Sequence, residues 1–155
     1  MSVELDNLDR FLKDFDDLIK KVPQKRRELH EKIADLLKSE VDSNISGSVN
    51  DNRGKIKGWQ EKHVGSGGGY AAVRPISTPK GVPSAKSPGA ITNYLEVGHK
   101  IRKPSGKSKK YRARIKVSFV DGRWFYKKTR ENIESKIIAL IEDFAEDIAR
   151  EIEGD

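Results

Sequence analysis

The 155-residue chain is predicted to fold as an α+β protein, with an N-terminal helical segment, a small antiparallel sheet and a long C-terminal helix. Two observations predict the helices: apolar residues recur at helical spacing near the N-terminus, and they do so again near the C-terminus. A third predicts the sheet, because in the middle of the chain this period gives way to short segments separated by glycine and proline. Residues 1–155 are expected to form a single domain, since this length suits one hydrophobic core.

The N-terminal helix is predicted from a stripe of apolar residues three and four positions apart, which lie on one helix face. They are Leu5, Leu8, Leu12, Phe15, Ile19 and Val22. Pro23 lacks an amide hydrogen and clashes with the preceding turn, so it either kinks this helix or separates it from a second one. The stripe resumes from Leu29 to Val41, and Asp42-Ser43-Asn44 is typical of a helix end. The prediction is a helical hairpin or one kinked helix over residues 4–42.

The C-terminal helix has the most regular stripe in the chain. Its members are Ile133, Ile137, Ile141, Phe144, Ile148 and Ile152. We expect the two terminal helices to pack on each other, or on one face of the sheet, through apolar residues of both stripes. The residues predicted to make this contact are Leu8, Leu12, Phe15, Ile137, Ile141 and Phe144.

Three segments in the middle of the chain are predicted to be strands. Lys55–Val64 and Tyr70–Ile76 are short candidates joined by Gly65–Gly69, which suits a hairpin loop. Arg112–Val120 alternates basic and apolar residues, as expected for a half-buried strand with a basic outer face. The helix-like segment Ala90–Val97 should be short and end at Gly98.

Three loops are predicted to be flexible. They cover about residues 65–69, 77–89 and 103–110, where glycine, proline, serine and lysine accumulate and apolar residues are few.

No set of residues in the sequence predicts catalysis or metal binding. The chain has no cysteine, and His30, His63 and His99 are not spaced as metal ligands beside a carboxylate. The glycines of Gly65–Gly69 are not followed by the Lys-Ser/Thr pair of a phosphate loop, so a hairpin tip is the better interpretation. Acidic residues on the terminal helices have the spacing of a solvated face. The sequence predicts no enzyme, no cofactor, no metal and no small-molecule substrate.

No stretch has the length and apolarity of a membrane span or a secretion signal, so we expect a protein made in the cytoplasm and no membrane partner. The net charge is +7, and its basic part is concentrated in one segment. From Gly98 to Lys116 there is no acidic residue and there are nine basic ones, namely Lys100, Arg102, Lys103, Lys107, Lys109, Lys110, Arg112, Arg114 and Lys116. This segment either faces DNA phosphates or is a solubilising surface loop.

Four landmarks of the chain, in order, resemble a known family. They are the amphipathic helical start with its proline, Gly54–Trp59 (GKIKGW), Asn93–Lys100 (NYLEVGHK) and Val120–Phe125 (VDGRWF), the last preceding a long helix. Together they are similar to the tail-completion, or head–tail joining, proteins of long-tailed bacteriophages and prophages. The resemblance covers nearly the whole chain.

The resemblance implies a virion protein of the neck or tail without catalytic activity, made in the host cytoplasm. Such proteins assemble into rings, commonly six-fold, that join head and neck to the tail or complete the tail. The implied partners are other copies of the chain and neighbouring neck and tail proteins. The stretch Gly98–Arg123 would provide contacts between subunits or, through its basic residues from Lys100 to Arg114, a lining that faces DNA in the channel. The implied assembly residues are Trp59, Tyr94, Glu96, Gly98, His99, Arg123 and Trp124. A stand-alone basic nucleic-acid-binding protein is the alternative.

Two of these assembly residues have a predicted local role. Gly98 should adopt a left-handed conformation that ends the short helix and turns the chain, because glycine does so without steric cost. Arg123 follows the Asp121-Gly122 turn and, from the family's pairing of these blocks, is expected to reach the Glu96 carboxylate, or else to lie on the surface.

Overall fold

The computed structural model describes residues 2–101 and 118–153, with the backbone alone in residues 2–11, 14 and 15. Its elements, in chain order, are α1 (Ser2–Ser48), α2 (Lys55–Gly58), β1 (Gln60–Val64), β2 (Ala71–Pro75), α3 (Pro88–Val97), β3 (Gly98–Lys100), β4 (Phe119–Asp121) and α4 (Phe125–Glu153). Strand β1 pairs with β2, and β3 pairs with β4. The predicted α+β class is confirmed, with its strands divided between two small sheets.

Helix α1 is a single helix that continues through Pro23 and ends at Ser48. Of the two forms predicted for this segment, the hairpin is therefore wrong, and so is the expected end at residues 42–44. The serines near the end explain the difference. The hydroxyl of Ser46 donates to the carbonyl of Asp42 at 2.8 Å, and that of Ser48 donates to the carbonyl of Asn44 at 2.6 Å. Short polar side chains bonded to the preceding turn are compatible with a helix, although the same residues also favour helix ends.

The predicted strand Lys55–Val64 is wrong in its first half, where residues 55–58 form the short helix α2. A carboxylate in the preceding turn stabilises this helix, since Oδ2 of Asp51 accepts a hydrogen bond from the amide of Lys57 at 3.0 Å. Partial burial acts to raise the pKa of Asp51, but hydrogen bonds from the α2 backbone outweigh it and lower that pKa. The strand itself begins at Gln60.

Strands β1 and β2 form the predicted hairpin. The amide of Gly65 donates to the carbonyl of Tyr70 at 3.0 Å, and the amide of Gly68 donates to the carbonyl of Gly65 at 2.8 Å. Gly68 has a φ of 61°, a conformation that a side chain disfavours. The glycine run is thus confirmed as a hairpin connection.

Contacts divide the chain into two compact units, described separately below. Unit 1 comprises residues 1–40, 62–73 and 131–155, and unit 2 comprises residues 41–61 and 74–130.

In unit 1, α1 and α4 run antiparallel. Lys25 forms an ion pair with Glu151, and Lys136 Nζ lies 2.8 Å from Glu40 Oε2. The second pair lies nearer the C-terminus of α1 and nearer the N-terminus of α4 than the first. The two pairs therefore show the antiparallel register of the helices. Their buried apolar residues are Leu18, Leu29, Ile33, Ala34 and Ile133.

Two residues predicted to pack between the terminal helices are instead largely exposed: Leu12 is 51% exposed and Ile141 is 47% exposed. Lys25 already lies opposite Glu151, close to the C-terminal end of α4, so the earlier turns of α1 extend past that helix. Ile141 lies on the outer side of the stripe that contains the buried Ile133. Ile137 and Phe144 are half-buried. The side chains of Leu8 and Phe15 lie outside the described residues.

In unit 2, the largest fully buried side chains are Phe125, Ile45, Val41 and Thr92. The predicted helix at Ala90–Val97 is confirmed, and it begins at Pro88, so the irregular segment that starts at residue 77 ends at Ser87. The hydroxyl oxygen of Ser87 accepts a hydrogen bond from the amide of Ala90 at 3.1 Å. A serine cap followed by proline is a favoured helix start.

Candidate functional site

The two sequence blocks Asn93–Lys100 and Val120–Phe125 meet in unit 2. Strand β3 pairs antiparallel with β4, so that Gly98 lies opposite Asp121, His99 opposite Val120 and Lys100 opposite Phe119. The contact is formed where α3 ends and where α4 is about to begin. We call this region, residues 94–100 and 119–127, the junction.

Two glycines allow the junction to form. A Cβ on Gly98 would lie 2.3 Å from the carbonyl oxygen of Val120, and one on Gly122 would lie 2.2 Å from that of Glu96. No Cβ fits at these distances, so the main chain around Gly98 and the main chain around Gly122 can touch only because both residues are glycine. Gly98 has a positive φ of 81°, as a left-handed residue does, but its ψ of 178° is extended, and its amide donates to the carbonyl of Tyr94.

The main chain of the second block is also bonded to the end of α3. The amide of Arg123 donates to the carbonyl of Leu95 at 2.7 Å, and the amide of Trp124 donates to the carbonyl of Glu96 at 3.1 Å. Among described residues other than glycine, Trp124 alone has a positive φ, of 57°. This conformation carries strain for a bulky side chain, and the surrounding hydrogen bonds hold it in place.

The Glu96 carboxylate caps α4. Its Oε2 accepts a hydrogen bond from the amide of Tyr126 and its Oε1 accepts one from the amide of Lys127, both at 3.0 Å. Amides in the first turn of a helix have no partner within the helix, and the positive end of the helix dipole favours an anion there. Glu96 thus joins the end of α3 to the start of α4.

The predicted pairing of Glu96 with the Arg123 guanidinium is replaced by this cap. Both predicted residues do connect the two blocks, but Arg123 does so through its backbone amide, and its side chain is exposed. The backbone amides at the start of α4 are fixed by the helix, so a carboxylate that binds them does not require a second long side chain to be ordered. A Glu96–Arg123 ion pair would require the Arg123 side chain to be ordered as well.

We expect Glu96→Ala to lower the free energy of unfolding by about 1–3 kcal/mol, because two first-turn amides of α4 lose a charged acceptor. Glu96→Gln keeps one acceptor oxygen and should recover part of this loss. Urea unfolding followed by circular dichroism measures both. Glu61→Ala, an exposed glutamate of β1, is the control and should change the value by less than about 0.5 kcal/mol. Equal values for Glu96→Ala and the control would contradict the cap.

A buried polar network begins at Tyr126, whose amide is one of the two that Glu96 caps. The hydroxyl of Tyr126 donates to Oε1 of Gln60, and Nε2 of Gln60 donates to the hydroxyl of Thr92 at 3.2 Å. Burial, together with the nearby negative charge of Glu96, raises the pKa of Tyr126 to about 12. The hydroxyl therefore stays a neutral donor, and the network links β1, α3 and α4 within unit 2.

Neither the hydrogen bonds of Gln60, Thr92 and Tyr126 nor the close main-chain contact at Gly122 can be predicted from the sequence. A polar residue in a strand and a threonine in a helix carry no pattern that predicts a mutual hydrogen bond. The Asp-Gly turn did indicate that Gly122 lies at a bend, but not that its α-carbon lies against the end of α3.

The other predicted assembly residues lie at or beside the junction. The ring of Tyr94 is 5.3 Å from that of His99, centroid to centroid. Lys127 Nζ lies 5.7 Å from the centre of the Trp124 ring. Trp59 is half-buried beneath the Lys55 ammonium, 5.0 Å from its ring centre, and precedes Gln60 of the polar network. Lys100 is exposed on β3.

The rest of the predicted basic segment lies outside the described residues. This applies to Arg102, Lys103, Lys107, Lys109, Lys110, Arg112 and Arg114, to the predicted loop at 103–110 and to most of the predicted strand at 112–120.

Five large apolar side chains are exposed at the junction. Tyr94, Val97, Phe119, Val120 and Trp124 are each 39 to 44% exposed. Grouped exposed apolar residues mark interaction sites more often than scattered ones do, and tryptophan and tyrosine are enriched among the residues that dominate binding energy. Phe119 and Val120 are adjacent in β4 and project to opposite faces of the β3–β4 pair. We therefore call the other four, Tyr94, Val97, Val120 and Trp124, the junction surface. Binding is the chemistry that this arrangement offers.

Within residues 2–101 and 118–153, no group of three or more histidine, aspartate or glutamate side chains is placed to hold a metal ion. The helices in this part of the chain all fall short of the combined length and apolarity that crossing a membrane requires.

Comparisons of the chain with protein-family models, curated proteins and solved structures gave no match. The resemblance to tail-completion proteins, and the function that it implies, therefore stay predictions.

Proposed function

We propose that this chain is a non-catalytic structural protein of a bacteriophage or prophage virion, which assembles into a ring that joins head and neck to the tail or completes the tail. The observation that carries the proposal is the junction. The two sequence blocks that resemble the tail-completion family are far apart in the chain, and they meet through glycines whose α-carbons touch main chain.

The exposed side chains at the junction support an assembly role. Three aromatic rings and two valine side chains are exposed around two short strands, and grouped exposed apolar side chains of this kind are typical of interaction sites. Covering them by a neighbouring subunit removes apolar area from water, worth about 25 cal/mol per Å². The rigid glycine contacts and the Glu96 cap hold these side chains in a fixed arrangement, which lowers the entropy cost of binding.

Sedimentation velocity of the purified full-length chain at physiological salt tests the proposal, with electron microscopy of the same sample. We expect a closed oligomer whose population rises with protein concentration. A chain that stays monomeric at all accessible concentrations, alone and with neighbouring neck and tail proteins, would refute it.

A stand-alone nucleic-acid-binding protein remains the alternative, favoured by the nine basic residues between Gly98 and Lys116. It predicts a monomer or dimer that retards DNA, with an affinity that falls steeply as salt rises. A gel-shift series at two salt concentrations on the sedimented species separates the two functions. DNA retardation by a monomer without rings would favour the alternative.

A further inference from the structure

Helix α4 carries a second exposed apolar surface, on unit 1. Ile138, Ile141 and Ile152 are 42 to 48% exposed, and their spacing of three and eleven places them along one side of the helix. We call them the α4 stripe. Glu134 and Glu142 are exposed one turn before and one turn after Ile138. The stripe is therefore apolar with an acidic border.

The junction surface has the opposite border. Lys100, Arg123 and Lys127 are exposed on the same short segments as its apolar side chains, against one exposed acidic residue, Asp121. The sequence extends this contrast, because residues 98–130 contain thirteen basic residues and one acidic, whereas residues 131–155 contain nine acidic and two basic. One chain thus carries two exposed apolar surfaces with borders of opposite charge.

We propose that the α4 stripe of one copy docks on the junction surface of a second copy. This inference rests on the proposed assembly function and names the two surfaces that would form its repeating contact. Apolar side chains meet apolar side chains, and the acidic border meets the basic one, which favours both encounter and orientation. Because the two surfaces differ, the contact is head-to-tail and leaves one free surface of each kind for further copies.

A contact between the two different surfaces is favoured over a symmetric contact between two copies of the same surface. Two α4 stripes face to face would place glutamates of one copy near glutamates of the other, and two junction surfaces would oppose lysine and arginine in the same way. Like charges across an interface cost several kcal/mol. The complementary pair avoids both repulsions.

Two variants, each with one damaged surface, test the contact. The stripe variant carries Ile138→Asp and Ile141→Asp, both at exposed positions, so the fold should persist. The junction variant carries Arg123→Glu and Trp124→Asp; aspartate tolerates positive φ and is favourable before a helix, so this fold should persist as well. Each variant alone should lose self-association by at least about 30-fold, the effect expected when a residue that dominates an interface is removed.

Mixing the two variants is the decisive measurement. The stripe variant retains an intact junction surface and the junction variant retains an intact α4 stripe, so a mixture should form a one-to-one complex and nothing larger. Sedimentation equilibrium measures this, and circular dichroism confirms that both variants are folded. Ile19→Asp, at an equally exposed isoleucine of α1, is the matched control and should assemble like the parent chain.

The outcomes separate the contact from the function. If the parent assembles and both variants do so equally well, or if the mixture forms no one-to-one complex, the contact is refuted and the ring proposal stands. If the parent chain never associates with itself, a second copy is not the occupant and the contact is refuted. If it also stays monomeric with neighbouring neck and tail proteins, the ring proposal is refuted as well.

Discussion

Gly122→Ala is expected to lower the free energy of unfolding by about 3 kcal/mol or more. The added Cβ would lie 2.2 Å from the carbonyl oxygen of Glu96 and 2.7 Å from the carbonyl carbon of Val97. Both are main-chain atoms at the end of α3, where the amides of Arg123 and Trp124 donate to the carbonyls of Leu95 and Glu96 and hold this backbone in place. The methyl group can be accommodated only if β4 separates from the end of α3. Such a separation would also withdraw the Glu96 carboxylate from α4, so the losses should be coupled.

Gly89→Ala is the matched control for this prediction. Gly89 is also in unit 2, within α3, and a Cβ there would have no atom within 4 Å. Replacing an unstrained glycine in a helix should raise stability by about 0.4–1 kcal/mol. Urea titrations of the two variants should therefore shift the midpoint in opposite directions. A Gly122→Ala protein as stable as the Gly89→Ala protein would show that the junction does not hold the two blocks in contact.

The helices were predictable because their evidence is local. Apolar spacing indicates where α1 and α4 lie, and the Gly98 and Asp121-Gly122 signals indicate where the chain turns. Which side of a helix is buried depends on the partner and on its register. Lys25 lies opposite Glu151, and no spacing within α4 reveals this register. The spacing therefore predicts that Ile141 is packed, whereas in the structure it is exposed.

The site was predictable as a location but not as a mechanism of contact. The blocks around Gly98 and Arg123 were identified from their residues, and they do meet. A side-chain ion pair is the contact that sequence suggests, since charges are visible there and backbone amides are not. The Glu96 cap spans thirty positions to reach amides whose availability depends on where α4 begins. Likewise, α2 is stabilised by the carboxylate of Asp51, which accepts a hydrogen bond from the amide of Lys57, six positions later. The sequence of α2 itself predicts a strand.

Truncating two adjacent aromatic residues, Trp124 and Phe125, should change the free energy of unfolding by very different amounts. Phe125 is fully buried at the start of α4, and Trp124 beside it is 44% exposed with a strained φ. Phe125→Ala should lower the free energy of unfolding by about 3–5 kcal/mol, because it leaves a cavity in the core of unit 2. Trp124→Gly should change stability by less than about 1 kcal/mol, since relief of backbone strain offsets the lost contacts of a half-exposed ring.

Among folded variants, the order of the two effects should be reversed for self-association, which Trp124→Gly should weaken more than Phe125→Ala. At a temperature where both variants are folded by circular dichroism, Phe125→Ala should still assemble, because its side chain is buried within the subunit. Trp124→Gly should associate at least about 30-fold more weakly, because the ring belongs to the junction surface. Sedimentation equilibrium on the two folded variants measures the difference. A Trp124→Gly protein that assembles like the parent would show that this ring is exposed in the assembly too, and that the junction surface does not bind through it.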